Sequence, residues 1–155
     1  MKSYAVLPIA ILMLGAFTSS SALELPVQKP GLWQTTMTNS RMPGGYRSFS
    51  MCQDAAFIAA GKASADAHLK NDCSKHELRK DGNTWTADLE CTFSGMHVVS
   101  HSVTTITGDD VFHTELTSNT DSPRLAKSTT TTTIDNKWLG ACKPGQKIGV
   151  PVAGK

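Results

Sequence analysis

Through most of the chain apolar and polar residues alternate one by one. In TWTADLECTF, Trp85, Ala87, Leu89, Cys91 and Phe93 hold one parity, while Thr84, Thr86, Asp88, Glu90 and Thr92 hold the other. That is the period of a strand with one buried face. Similar stretches recur between turn signals. Leu32 to Thr38 and Tyr46 to Met51 flank Pro43-Gly44-Gly45 and read as a first hairpin. MHVVSHSVTTIT and VFHTELTSNT flank Gly108-Asp109-Asp110, with Met96, Val98, Ile106, Phe112 and Leu116 at even positions suited to one face. DSPR turns the chain into LAKSTTTTTIDNKW. One passage breaks the pattern: QDAAFIAAGKASADAHLKND is alanine-rich, and the Asp54 carboxylate is placed to cap free amides of a first helical turn. A helix is expected from residue 55 to about residue 60, with Gly61 interrupting it. The pattern predicts a mainly β fold: an antiparallel meander of seven or eight strands, curved or partly closed into a barrel, with one short α-helix.

The opening MKSYAVLPIAILMLGAFTSSSALELP has a different character. Lys2 precedes an apolar run from Ala5 to Phe17, and Ser20 and Ala22 suit a signal-peptidase site. The run is shorter than the roughly 20 apolar residues of a membrane span, and Pro8 and Gly15 weaken it as one. No cysteine follows the expected cleavage point, so lipid anchoring has no support. The expected organisation is a signal peptide over residues 1–22, a single domain over 23–142 and a flexible tail over 143–155. The expected location is the periplasm or the exterior, with no membrane span left after cleavage. Removal of Lys2 takes one charge from the 15 Lys and Arg, against 13 Asp and Glu. A near-neutral chain without a basic block offers nothing to a row of phosphates, so no nucleic-acid partner is expected.

All four cysteines follow the leader, and an even count in an exported chain reads as two disulfides. Cys52, Cys73, Cys91 and Cys142 contain no close pair of the kind that zinc or a redox motif requires. No metal and no other cofactor is expected. With a three-residue loop at 81–83, Cys73 falls opposite Cys91 across a hairpin, within bridging reach. Cys52 then pairs with Cys142 by elimination. The alignment has a cost: it places Lys75, Glu77 and Arg79 on the face of Trp85, Ala87 and Leu89, where Leu78 belongs. A bulge would reconcile the two; without one, the alternative pairings stay open.

Nucleophilic catalysis needs a nucleophile, a base and an orienting group. The chain has no G-x-S-x-G, no H-E-x-x-H and no glycine-rich phosphate loop. His97 and His101 share a strand face, but lie roughly 13 Å apart at ~3.3 Å per residue, too far to share a metal. A register joining Thr107 to Val111 sets His113 opposite Thr105 and Glu115 opposite Val103, so His101, His113 and Glu115 form a candidate polar cluster. Adjacent Asp109 and Asp110 after a glycine read as turn chemistry. Trp33, Trp85 and Trp138 are the bulky anchors; packing in the core is their default, and lining an apolar pocket is the alternative. The run Thr129 to Thr133 reads as a strand with a hydroxyl face. An ice- or glycan-binding ladder would need several such rows, and the sequence has one dense row.

KPGLWQTTMT, SMCQDAAF, the spaced Cys73 and Cys91, TITGDDVFHTEL and the closing KWLGAC together resemble the DUF3617 family, from about Lys29 to Cys142. Similar proteins carry something like C-x-T-P-E where this chain has CQDAAF. The resemblance implies a small β-rich domain in a Gram-negative periplasm, and no catalytic residues. The expected role is that of a non-catalytic exported domain binding a small apolar ligand or an envelope protein. Two alternatives differ from it in kind. One is an envelope hydrolase using the histidine–carboxylate cluster on the 97–115 hairpin. The other is a structural or inhibitory module presenting a strand edge.

Overall fold

A computed structural model describes residues 24–154, apart from Pro43 and Arg124. The expected signal peptide lies outside the described residues. The chain forms β1 (Gly31–Asn39), β2 (Tyr46–Gln53), α1 (Ala55–Asp72), β3 (Cys73–Asp81), β4 (Thr84–Phe93), β5 (Met96–Thr107), β6 (Val111–Ser122), β7 (Leu125–Gly140) and β8 (Val152–Ala153). All strands join one antiparallel sheet in the order β3-β4-β5-β6-β7-β1-β2-β8. The meander is as the alternation predicts, whereas the barrel is not formed. The sheet stays open because its two ends are poor partners. Edge strand β3 reads CSKHELRKD and is largely solvent-exposed, and β8 has only two residues. Charged or short edge strands are the usual devices against further pairing.

Directly paired residues share a face, so the registers sort the whole sheet. One face carries Trp33, Met37, Phe49, Leu78, Trp85, Ala87, Leu89, Val98, Ile106, Phe112, Leu116, Ile134 and Trp138; we term it the tryptophan face. The opposite, histidine face carries His97, His101 and His113 with Asp88, Glu90, Glu115 and Asp135. The expected even-numbered set Met96, Val98, Ile106, Phe112 and Leu116 does lie on one face. Burial is concentrated at one end, where Trp33, Ile106 and Phe112 form a buried cluster with Trp85 and Trp138 packed against it. Trp33 is 1% exposed and meets Phe112 edge-on at 5.6 Å between ring centroids.

The 73–91 hairpin resolves the conflict in its sequence. Cys73 pairs with Cys91, but beyond it the register shifts, so that Lys75 pairs with Glu90 and Leu78 with Ala87. Ser74 is the extra residue of a bulge, and the hairpin closes with a two-residue turn, Gly82-Asn83, in place of the expected three-residue loop. Cysteines and Leu78 thereby both reach the tryptophan face. The structure holds two disulfides, Cys73–Cys91 and Cys52–Cys142, and no free cysteine among the described residues.

Helix α1 is three times longer than the sequence suggested and runs through Gly61 without a break. Its cap is the expected one: the Phe57 amide donates to Asp54 Oδ1 at 2.8 Å. Ion pairs one turn apart, Lys62–Asp66 and His68–Asp72, both at 2.7 Å, support its second half. A single glycine costs a helix only about 1 kcal/mol, which these features offset. The helix has no buried side chain; it rests on β3 and β4, and Phe57 packs against Gly149. Of the segment expected to be a flexible tail, 143–155, the described residues 143–154 fold back on β2. There Gly149 N–H donates to Cys52 O and Gly154 N–H to Ser48 O, both at 2.9 Å.

Candidate functional site

At the start of β1 the chain runs under two indoles. Trp33 Nε1 donates to the Lys29 carbonyl at 2.8 Å, and Trp138 Nε1 to the Pro30 carbonyl at 3.2 Å. Lys29 holds both ends of this arrangement. Its ammonium lies 3.9 Å from the centroid of the Trp138 ring and reaches the β5–β6 turn, 3.0 Å from Asp109 and in contact with Asp110. Hydrogen bonding to Asp110, then Asp109, raises the pKa of Lys29, and Lys29 lowers that of Asp109. The adjacent aspartates thus serve a clamp between the amino-terminal segment and a hairpin tip. Gly31 makes the approach possible: with φ at +146°, a Cβ there would lie 2.1 Å from Trp138 Nε1 and 2.6 Å from Gly140 O.

The three tryptophans therefore come together, as the sequence could not indicate, but as packing. Trp33 is fully enclosed, and Trp85 and Trp138 lean on its cluster. Beyond that end the same face changes. Met37, Phe49, Leu78, Leu89, Val98, Leu116 and Ile134 all remain half-buried. Hydroxyls stand between them at Ser100, Ser102, Thr104, Thr114, Ser118, Thr130 and Thr132. Thr104 and Thr114 bond across β5 and β6 at 2.9 Å. The apolar stripe follows from the period-2 pattern. Its half-exposed state follows from the architecture, because no second layer of sheet exists to cover it.

The histidines take partners from neighbouring strands. His113 does lie opposite Thr105, and Glu115 opposite Val103. The candidate set nevertheless divides: His101 Nδ1 meets Asp88 Oδ1 at 2.7 Å on β4, whereas His113 Nδ1 meets Asp135 Oδ1 at 2.6 Å on β7, with Glu115 at 3.6 Å from its other nitrogen. His97 Nε2 lies 3.0 Å from Glu90 Oε1. Asp88 also binds Arg79, and the hydrogen bond from His101 followed by that from Arg79 lowers its pKa. Bonding to Asp135 and then Glu115 raises that of His113. No cluster of three metal-ligating side chains occurs among the described residues. Asp88 and Asp135 were legible only as members of the polar parity; naming them as partners needed the strand order.

A family model described as "Protein of unknown function (DUF3617)" matches residues 28–142. No curated protein and no solved structure matches the chain.

Proposed function

The chain belongs to the DUF3617 family, and from that premise we propose that it is an exported, non-catalytic β domain that binds a small apolar ligand on its tryptophan face. The observation that carries this reading is the row of half-buried apolar side chains from Leu78 and Leu89 through Val98, Leu116 and Ile134 to Met37 and Phe49. Burying such surface is favourable by roughly 25 cal/mol per Å², and the fold leaves that gain unused. Export is supported by the apolar leader before Ala22 and by two disulfides, bonds that persist in oxidising compartments. No helix among the described residues is long and apolar enough to cross a membrane. The non-catalytic character is supported by the separation of His101, bonded to Asp88, from His113, which is bonded to Asp135 and lies beside Glu115.

Titration with decanoate, followed through tryptophan emission, tests the reading. Saturable binding is expected, weakened at least tenfold by Ile134→Glu with an unchanged far-ultraviolet spectrum. Binding that Ile134→Glu leaves intact, or no binding at all, contradicts it. Co-purification of an envelope protein with an otherwise empty domain would replace the ligand by a protein partner.

A further inference from the structure

The histidine face holds a second feature, independent of the tryptophan face. A hollow of about 400 Å³ opens across β5, β6 and β7, lined by His97, Val99, Asn119, Asp121, Lys127 and Thr129. A smaller one of about 180 Å³ adjoins it, sharing Val99 and Asn119 and adding Asp88, Glu90, His101 and Thr117. The larger volume lies within the usual range of small-molecule sites, about 300–1,000 Å³.

The lining specifies the chemistry of an occupant. Its charged groups are each partnered: Lys127 with Asp121 at 2.9 Å, Arg79 with Asp88, Lys75 with Glu77 at 3.4 Å, and Glu90 with His97 at 3.0 Å. An anion finds no surplus of positive charge there. Donors and acceptors alternate over the surface. Thr129 Oγ1 donates to Asn119 Oδ1 at 2.7 Å, and the Asn119 amide NH₂ has no partner among the described residues. Val99, 41% exposed between these polar groups, offers a small apolar platform. The threonine run completes the surface, because the register supplies the rows that the sequence lacked: Thr131 stands opposite Thr117, and Thr133 opposite Thr38. Strands β5, β6 and β7 are internal to the sheet. Their backbone groups are already paired, so a peptide would find no ladder to extend.

A neutral molecule dense in hydroxyls, with one apolar patch on an otherwise polar ring, matches all of these features. We propose that the paired hollows around Val99 and Asn119 form a binding site for a neutral saccharide.

The test is a nuclear magnetic resonance titration of the full-length exported domain with maltose, lactose and chitobiose, and with triglycine and inorganic phosphate as competitors of other chemistry. Saturable shifts with at least one disaccharide are expected at the amides of Val99, Asn119 and Thr129. Asn119→Ala and Val99→Asp, both at exposed positions, should each weaken binding at least tenfold while the spectrum stays otherwise unchanged. Shifts with triglycine or phosphate alone would overturn the proposal. So would saccharide shifts centred on the tryptophan face, or no shift with any of the three sugars at millimolar concentration.

Discussion

Single residues fix the buried end of this protein. Trp33 is enclosed only because Lys29 bends over it and Gly31 lets the chain pass Trp138. Gly31→Ala forces a Cβ into both an indole nitrogen and a backbone carbonyl. Overpacking of that kind destabilises by about 1–3 kcal/mol, and denaturant unfolding should show a loss in that range or above. The histidines act at the same scale through charge. His113 has its pKa raised above 6.5 by Asp135 and Glu115, so its contribution to stability is complete below 6.5 and is lost as pH rises through the raised value. Asp88 has the opposite sign: its value is lowered below 3.8, so its contribution is present above 3.8 and is lost as pH falls through the lowered value. A proton titration of the His113 ring should give a midpoint above 6.5, and Asp135→Asn should bring it down. An unmoved midpoint would show that the cross-strand bond is not made in solution.

Elements show where the sequence was sufficient. Strands announced themselves through alternation because a half-buried strand needs it, and β4 was legible residue by residue. The Cys73–Cys91 hairpin was legible only as a contradiction, since Leu78 and the cysteines demanded different registers. The Ser74 bulge satisfies both. Helix α1 was underread because Gly61 dominates a local view, whereas the pairs Lys62–Asp66 and His68–Asp72 hold the turns that follow it. The two disulfides join different things: Cys73–Cys91 ties the paired strands β3 and β4, whereas Cys52–Cys142 ties β2 to the segment after β7. Cys52–Cys142 closes a loop with a sequence separation of 90, and Cys73–Cys91 one of 18. In the chain-entropy model these contribute on the order of 4–5 and 3 kcal/mol. The Cys52→Ser/Cys142→Ser protein should therefore lose more stability than Cys73→Ser/Cys91→Ser when both are unfolded in urea. Equal losses would mean that loop length does not set the contribution here.

Taken whole, the molecule is one sheet, one helix and little enclosed core: among the described residues, buried hydrophobics are few, and Ile106 and Phe112 are the ones that cluster with Trp33. Closure of the sheet was not legible, because it depends on whether two distant edges can pair, and no local pattern encodes that. The charges of β3 explain the outcome once the strand order is known. The open tryptophan face is the consequence, and we propose that an apolar molecule completes it. Native mass spectrometry of the protein, gently prepared from the cells that produce it, is the decisive test. The expected species is a chain beginning at Leu23 with two disulfides and a retained apolar molecule that Ile134→Glu releases. A clean unliganded mass for the unaltered protein under the same conditions would contradict it.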